Sequence, residues 1–157
     1  MTTLPSALRL GAVELTVRDL DRAIGWYQRV LGLRLHGRGD GTAELGDGSE
    51  VTIVLREDPQ AQPAGRHAGL YHYALLLPTR EELARAAVRL SVTRTQIQGA
   101  SDHRTHEAIY LADPDGNGIE LYRDRPEEEW PRAADGSVAM VSIPLDLDAL
   151  LAEPPDA

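Results

Sequence analysis

Five histidines (His36, His67, His72, His103 and His106) and 25 acidic residues are the side chains of this sequence that can hold a metal. There is no Cys, and every basic Lys/Arg position is Arg. These absences exclude a thiolate nucleophile, a disulfide and a Cys-ligated zinc or iron–sulfur centre. They also exclude a Schiff-base lysine and a P-loop lysine. Strand parity narrows the candidates, because successive side chains of a strand point to opposite faces. In the run GIELY ending at Tyr122, Ile119 and Leu121 read as core, so Glu120 faces away. In the run beginning at Leu70, Tyr73, Leu75 and Leu77 read as core, so His72 faces away. Ile109 and Leu111 read as core, so Tyr110 faces away. His72, Tyr110 and Glu120 are therefore expected on one concave surface. A histidine and a carboxylate that share such a face suit a divalent metal. The other reading is that His72 and Glu120 hydrogen-bond each other or water.

The elements that must position these residues follow one order twice. Ala12–Val17 alternates as a half-buried strand. Asp19 is an N-cap candidate, and Leu20, Ala23, Ile24, Tyr27 and Leu31 keep helical spacing up to Gly32. Extended runs near Leu33–Arg38, Thr42–Leu45 and Glu50–Arg56 are separated by Gly-Asp-Gly turns. Glu57–Gly69 is polar and contains Pro, and reads as a linker. Leu70–Leu77 then reads as a strand, and Thr79 with Glu82 as a capping box for a helix reaching about Leu90. Strands follow near Gln96–Ala100, Glu107–Leu111 and Gly118–Tyr122. The fold class expected is α+β: two βαβββ modules, about 9–57 and 69–123, forming a curved cup with helices outside. Residues 1–125 form this domain, and 126–157 form a tail with a short helix over Asp146–Ala152.

Bulk properties agree. A chain of 157 residues fits one domain. The net charge is −9, and residues 124–157 carry nine acids against Arg125 and Arg132, so the tail holds most of it. No basic stripe suits a phosphate backbone, so nucleic acid is not an expected partner. No apolar run reaches a membrane span. No leader is visible, which makes a cytoplasmic location the expectation.

Two segments carry a resemblance. Val13–Leu33 (VELTVRDLDRAIGWYQRVLGL) and Ile109–Tyr122 (IYLADPDGNGIELY) resemble the opening and closing elements of the vicinal oxygen chelate superfamily. That superfamily includes glyoxalase I, bleomycin-resistance proteins and extradiol dioxygenases. With Gly69–Pro78 and Gly99–Tyr110, the chain resembles the N-terminal module of two-domain catechol-2,3-dioxygenase-like proteins, over about residues 9–150. The resemblance implies a ring-cleaving dioxygenase, or a fragment of one, using Fe(II) or Mn(II) on a small aromatic molecule. His72 and Glu120 match the metal ligands of the fifth and eighth strands. Tyr110 matches the catalytic tyrosine, and His103 lies in the loop that carries a supporting histidine. The first-strand ligand position is Ala12, and the glyoxalase-type fourth-strand carboxylate falls near Val54. Glu14, His103 or His106 stand as substitutes for the missing donor. The alternative is a metal-free module that binds a small aromatic molecule or completes an assembly. The tail resembles a connector into a second module. The expected partner is therefore a second copy, as a homodimer, or a second module.

Overall fold

The computed structural model describes residues 7–62 and 68–153; His67 and the middle of the Pro-containing stretch lie outside them. The first module runs β1 (Val13–Val17), α1 (Leu20–Trp26), β2 (Arg34–Gly39), β3 (Thr42–Gly46) and β4 (Val51–Glu57). The second runs β5 (Tyr73–Leu76), α2 (Arg80–Val92), β6 (Ile97–Asp102), β7 (His106–Ala112) and β8 (Gly118–Asp124). Both expected βαβββ units are present. Within each, the first and last strands pair parallel across the helix, β1 on β4 and β5 on β8, and the other pairs are antiparallel.

Local chemistry explains the helix ends. Asp19 Oδ1 accepts from the Arg22 N–H at 2.9 Å, and Thr79 Oγ1 accepts from the Glu82 N–H at 3.2 Å. Each satisfies an amide that has no partner inside its helix. The first helix is not uniform, unlike the simple pattern expected from sequence. From Tyr27 to Leu31 it widens to a π-helical turn, which buries Tyr27, Val30 and Leu31 together. Gly32 closes it in the left-handed region at φ 77°, where a side chain would be strained.

The first sheet has four strands, ordered β1-β4-β3-β2. The second has five, β5-β8-β7-β6 and then β9 (Ile143–Pro144), rather than the four expected. The added strand comes from the tail and pairs antiparallel with β6. After it, Asp146 caps α3 (Leu147–Leu151), whose Leu150 is fully buried against the body. Trp130 Nε1 donates to the Arg125 carbonyl at 2.9 Å, anchoring the tail at its start. No helix among the described residues is long and apolar enough to cross a membrane.

One apolar cluster joins the modules, from Leu15, Leu45 and Ile53 through Tyr27 to Tyr73, Ile109 and Ile119. Polar staples reinforce that junction at the Asp113–Gly118 turn. Tyr27 Oη donates to Asp113 Oδ2 at 2.9 Å, and Tyr73 Oη donates to Tyr27 Oη at 3.3 Å. Burial, then the neighbouring Tyr73 and Asp113, hold the Tyr27 phenol far above its ordinary range. Asp115 takes Arg18 at 3.0 Å and Arg22 at 2.8 Å. The acidic turn is thus spent on joining the two modules.

Candidate functional site

The concave face of the second sheet carries the candidate chemistry. Tyr110 of β7 stands directly opposite Glu120 of β8 in register, so their side chains share a face. Glu120 also pairs with Ala74 of β5. His72 lies two residues before Ala74 and reaches the same face, although β5 is shorter than expected and begins only at Tyr73. Gly118 makes this approach possible. A Cβ there would lie 2.3 Å from the Tyr71 carbonyl oxygen and 3.0 Å from His72 Cβ.

The contacts form a continuous chain. His72 Nε2 is 3.0 Å from Glu120 Oε2. Tyr110 Oη is 3.1 Å from Glu120 Oε1 and 3.1 Å from His103 Nε2. His103 Nδ1 is 2.7 Å from the Val141 carbonyl oxygen. The β6–β7 turn sets the last link. The His103 N–H bonds the His106 carbonyl at 2.9 Å, and Asp102 Oδ1 accepts from the Arg104 N–H at 2.7 Å. This tight turn stacks the His103 and His106 rings with centroids 4.5 Å apart. The sequence marked His103 as the supporting histidine of this loop and both His103 and His106 as possible substitute donors, and the turn brings both rings beside His72, Tyr110 and Glu120.

Electrostatics act on Tyr110 and His106. Burial, then the charge of Glu120 and the hydrogen bond to it, push the Tyr110 phenol up to about 12. Tyr110 is therefore a neutral hydroxyl at ordinary pH, a donor rather than a tyrosinate. Burial, then the neighbouring His103, lower His106 below the ordinary histidine value against the pull of Glu120. Glu120 is 8% exposed and lies behind His72 and Tyr110. In front is an open cavity of about 590 Å³ lined by Tyr71, His72, Gln98, Gly99, Ser101, His103, Tyr110, Gly116, Gly118, Ile119 and Ser142. Among the described residues no Arg or acid lines it, so its wall suits neutral polar groups and a ring rather than a polyanion. Ser142 belongs to the tail, and nothing in the sequence pattern marked the tail as a wall of this site.

Two of the expected metal donors meet each other directly. His72 Nε2 and Glu120 Oε2 lie 3.0 Å apart, the separation of adjacent ligands on one octahedral ion at about 2.1 Å. The third donor is not supplied. Glu14 pairs with Arg56 at 2.6 Å on the exposed face of the first sheet, and this holds its carboxyl below the usual range. His103 is engaged by Tyr110 and Val141. His106 Nε2 stands 3.8 Å from Glu120 Oε1, but among the described residues no group of three or more His, Asp or Glu is disposed to hold a metal. The set present does not complete a two-histidine, one-carboxylate site. Glu14, His103 and His106 do not repair the loss at Ala12. His36 lies exposed on β2, its Nε2 accepting from the Gly48 N–H at 3.2 Å.

Comparison with known proteins agrees with the fold. The chain is 42% identical to a catechol-2,3-dioxygenase of Bacillus subtilis over 99% of its own length and 55% of that protein. It thus spans about half of the curated relative it matches. A glyoxylase/bleomycin resistance protein/dioxygenase domain from Frankia sp. EAN1pec superposes with TM-score 0.67 and 26% identity, covering 78% of this chain and 96% of that one. A glyoxalase/dioxygenase from Nostoc punctiforme superposes with TM-score 0.65 and 20% identity, covering 80% and 98%, a likeness of fold alone. Residues 9–121 match the profile of the Glyoxalase/Bleomycin resistance protein/Dioxygenase superfamily. With its two βαβββ modules and its cup-lining residues, this chain belongs to that superfamily.

Proposed function

We propose that this chain is the catechol-2,3-dioxygenase-like module of an extradiol, ring-cleaving dioxygenase, and that its cavity receives a small hydroxylated aromatic ring. The observation that carries this reading is the unbroken chain along the cavity wall, from His72 through the recessed Glu120 and Tyr110 to His103. The identity to the Bacillus enzyme supports it. His72 and Glu120 would occupy two positions on Fe(II) or Mn(II), and the third donor would come from a second copy of the chain. When bound, such an ion would supply Lewis-acid chelation of adjacent ring oxygens. The chain's own residues bind and handle protons. Tyr110, held as a phenol, donates to negative charge developing on a ring oxygen. His103 stands one hydrogen bond behind it. Gln98, Ser101 and Ser142 offer neutral polar contacts to ring substituents, and the exposed Tyr71 ring stands at the rim.

A second reading has its own support. Ala12 and the closure of His72 on Glu120 favour a metal-free module that binds the aromatic molecule without cleaving it. Anaerobic Fe(II) or Mn(II) loading followed by metal analysis, with catechol titration of the same sample, separates the two. Bound metal and metal-dependent catechol binding support the dioxygenase module. Catechol binding without metal supports the second reading.

A further inference from the structure

We propose that Val141 is a positioning residue: its backbone carbonyl, brought in by the tail, fixes His103 as the Nδ1–H tautomer and so turns the Nε2 lone pair toward Tyr110. This rests on the reading above for its use, but its geometry stands apart. A carbonyl oxygen only accepts, so at 2.7 Å from Val141 the His103 Nδ1 must carry the proton. In neutral imidazole the other nitrogen is then bare. That nitrogen, Nε2, lies 3.1 Å from Tyr110 Oη. The Tyr110 hydroxyl therefore has two acceptors, Glu120 Oε1 and His103 Nε2, for its one proton.

The tail is held in place for this task. β9 pairs with β6, Ser142 Oγ bonds Ser101 Oγ at 3.4 Å, and the Val141 N–H reaches the His103 carbonyl at 3.4 Å. The stacked His106 ring fixes the plane of the His103 ring. With this tautomer, His103 is a base toward Tyr110. When a ring hydroxyl of the substrate gives its proton to Tyr110 Oη, the Tyr110 proton passes to His103 Nε2. The ring O–H bond breaks, the tyrosine O–H is renewed and an Nε2–H bond forms. The products are a ring oxyanion and an imidazolium. With the Nε2–H tautomer this transfer would be blocked.

The test is imidazole nitrogen-15 NMR of the whole chain, about two pH units above the ordinary histidine value, with His103→Gln assigning the signals. The Nδ1–H form of His103 should exceed the Nε2–H form about fivefold, the bias one hydrogen bond of ordinary strength gives. A dominant Nε2–H form, or an evenly mixed one, would overturn the proposal. Replacing the Val141–Ser142 peptide by an ester weakens that carbonyl as an acceptor and should cut the ratio severalfold. An unchanged ratio in the folded ester variant would remove Val141 from the role; if that variant does not fold, the wild-type spectrum decides. Loss of catechol binding would overturn the functional reading and leave the tautomer result standing. A mixed tautomer with normal catechol binding would overturn this proposal alone.

Discussion

Glu107 is the residue whose loss should cost the fold most for the smallest change in shape. It lies on β7, its side chain 5% exposed, and it collects three guanidinium groups. Arg123 Nε reaches its Oε2 at 2.7 Å and Arg80 Nε at 3.0 Å, while Arg125 reaches its Oε1 at 3.3 Å. These arginines come from β8, from the first turn of α2 and from the start of the tail. Arg80 also pairs with Glu153 beyond α3. In Glu107→Gln the amide oxygen can replace Oε2, but its bonds become neutral-acceptor bonds of about half the strength, a loss of about 2 kcal/mol. The amide nitrogen then faces Arg125, donor against donor, adding about 1 kcal/mol. The arginines keep part of their hydration, being 11–25% exposed, so the sum of about 3 kcal/mol sits at the low end for a broken buried pair. Urea unfolding followed by circular dichroism should show a lower midpoint at unchanged slope. Melting should fall by about 6–12 °C. A loss below about 1 kcal/mol would refute the view that this cluster, rather than apolar packing alone, ties the tail to the second module.

Three further outcomes follow from the geometry. Gly118→Ala drives a Cβ into the Tyr71 carbonyl; it should destabilise the chain by about 1–3 kcal/mol and weaken catechol binding by displacing His72, as unfolding and titration calorimetry would show. Burial raises the Asp115 carboxyl, but the hydrogen bonds from Arg18 and Arg22 and the Arg22 charge together outweigh it and hold it lowered. Its contribution to stability is therefore present above the ordinary value of 3.8 and is lost as pH falls through its lower folded value. The stability gap between wild type and Asp115→Asn, measured by unfolding across acid pH, should narrow over that range; a constant gap would contradict it. Tyr110→Phe should remove from the ultraviolet absorbance titration a phenol that ionises at about 12, and a loss near 10 instead would show that Tyr110 is not shielded by burial and Glu120.

Much of this was legible in the sequence because it is local or periodic. Asp19 and Thr79 announced helix starts through short-range capping. Period-two alternation placed Tyr110 and Glu120 on one face, and the structure pairs them in register. The unread features join residues far apart in the chain. The two-residue β9 is too short for any periodic signal and exists only because β6 offers it an edge. The bond from His103 to Val141 spans 38 residues, and the Tyr27–Asp113 bond spans 86. The stacking of His103 on His106 depends on a tight turn with Arg104 at φ 65°, a conformation that Arg rarely adopts and its sequence does not advertise. The metal donors illustrate the same division. Strand parity placed His72 and Glu120 on one face, and the family resemblance implied a gap at Ala12, but only the contacts show that Glu14, His103 and His106 are occupied elsewhere or fall short.

The most direct test of the central proposal is catechol titration of the purified chain after anaerobic Fe(II) loading, with His72→Ala treated alongside and metal content measured on both. Wild type should retain the ion and bind catechol, and His72→Ala should lose the ion and bind at least tenfold more weakly. Wild type that takes up no Fe(II) and shows no saturable catechol binding would contradict it.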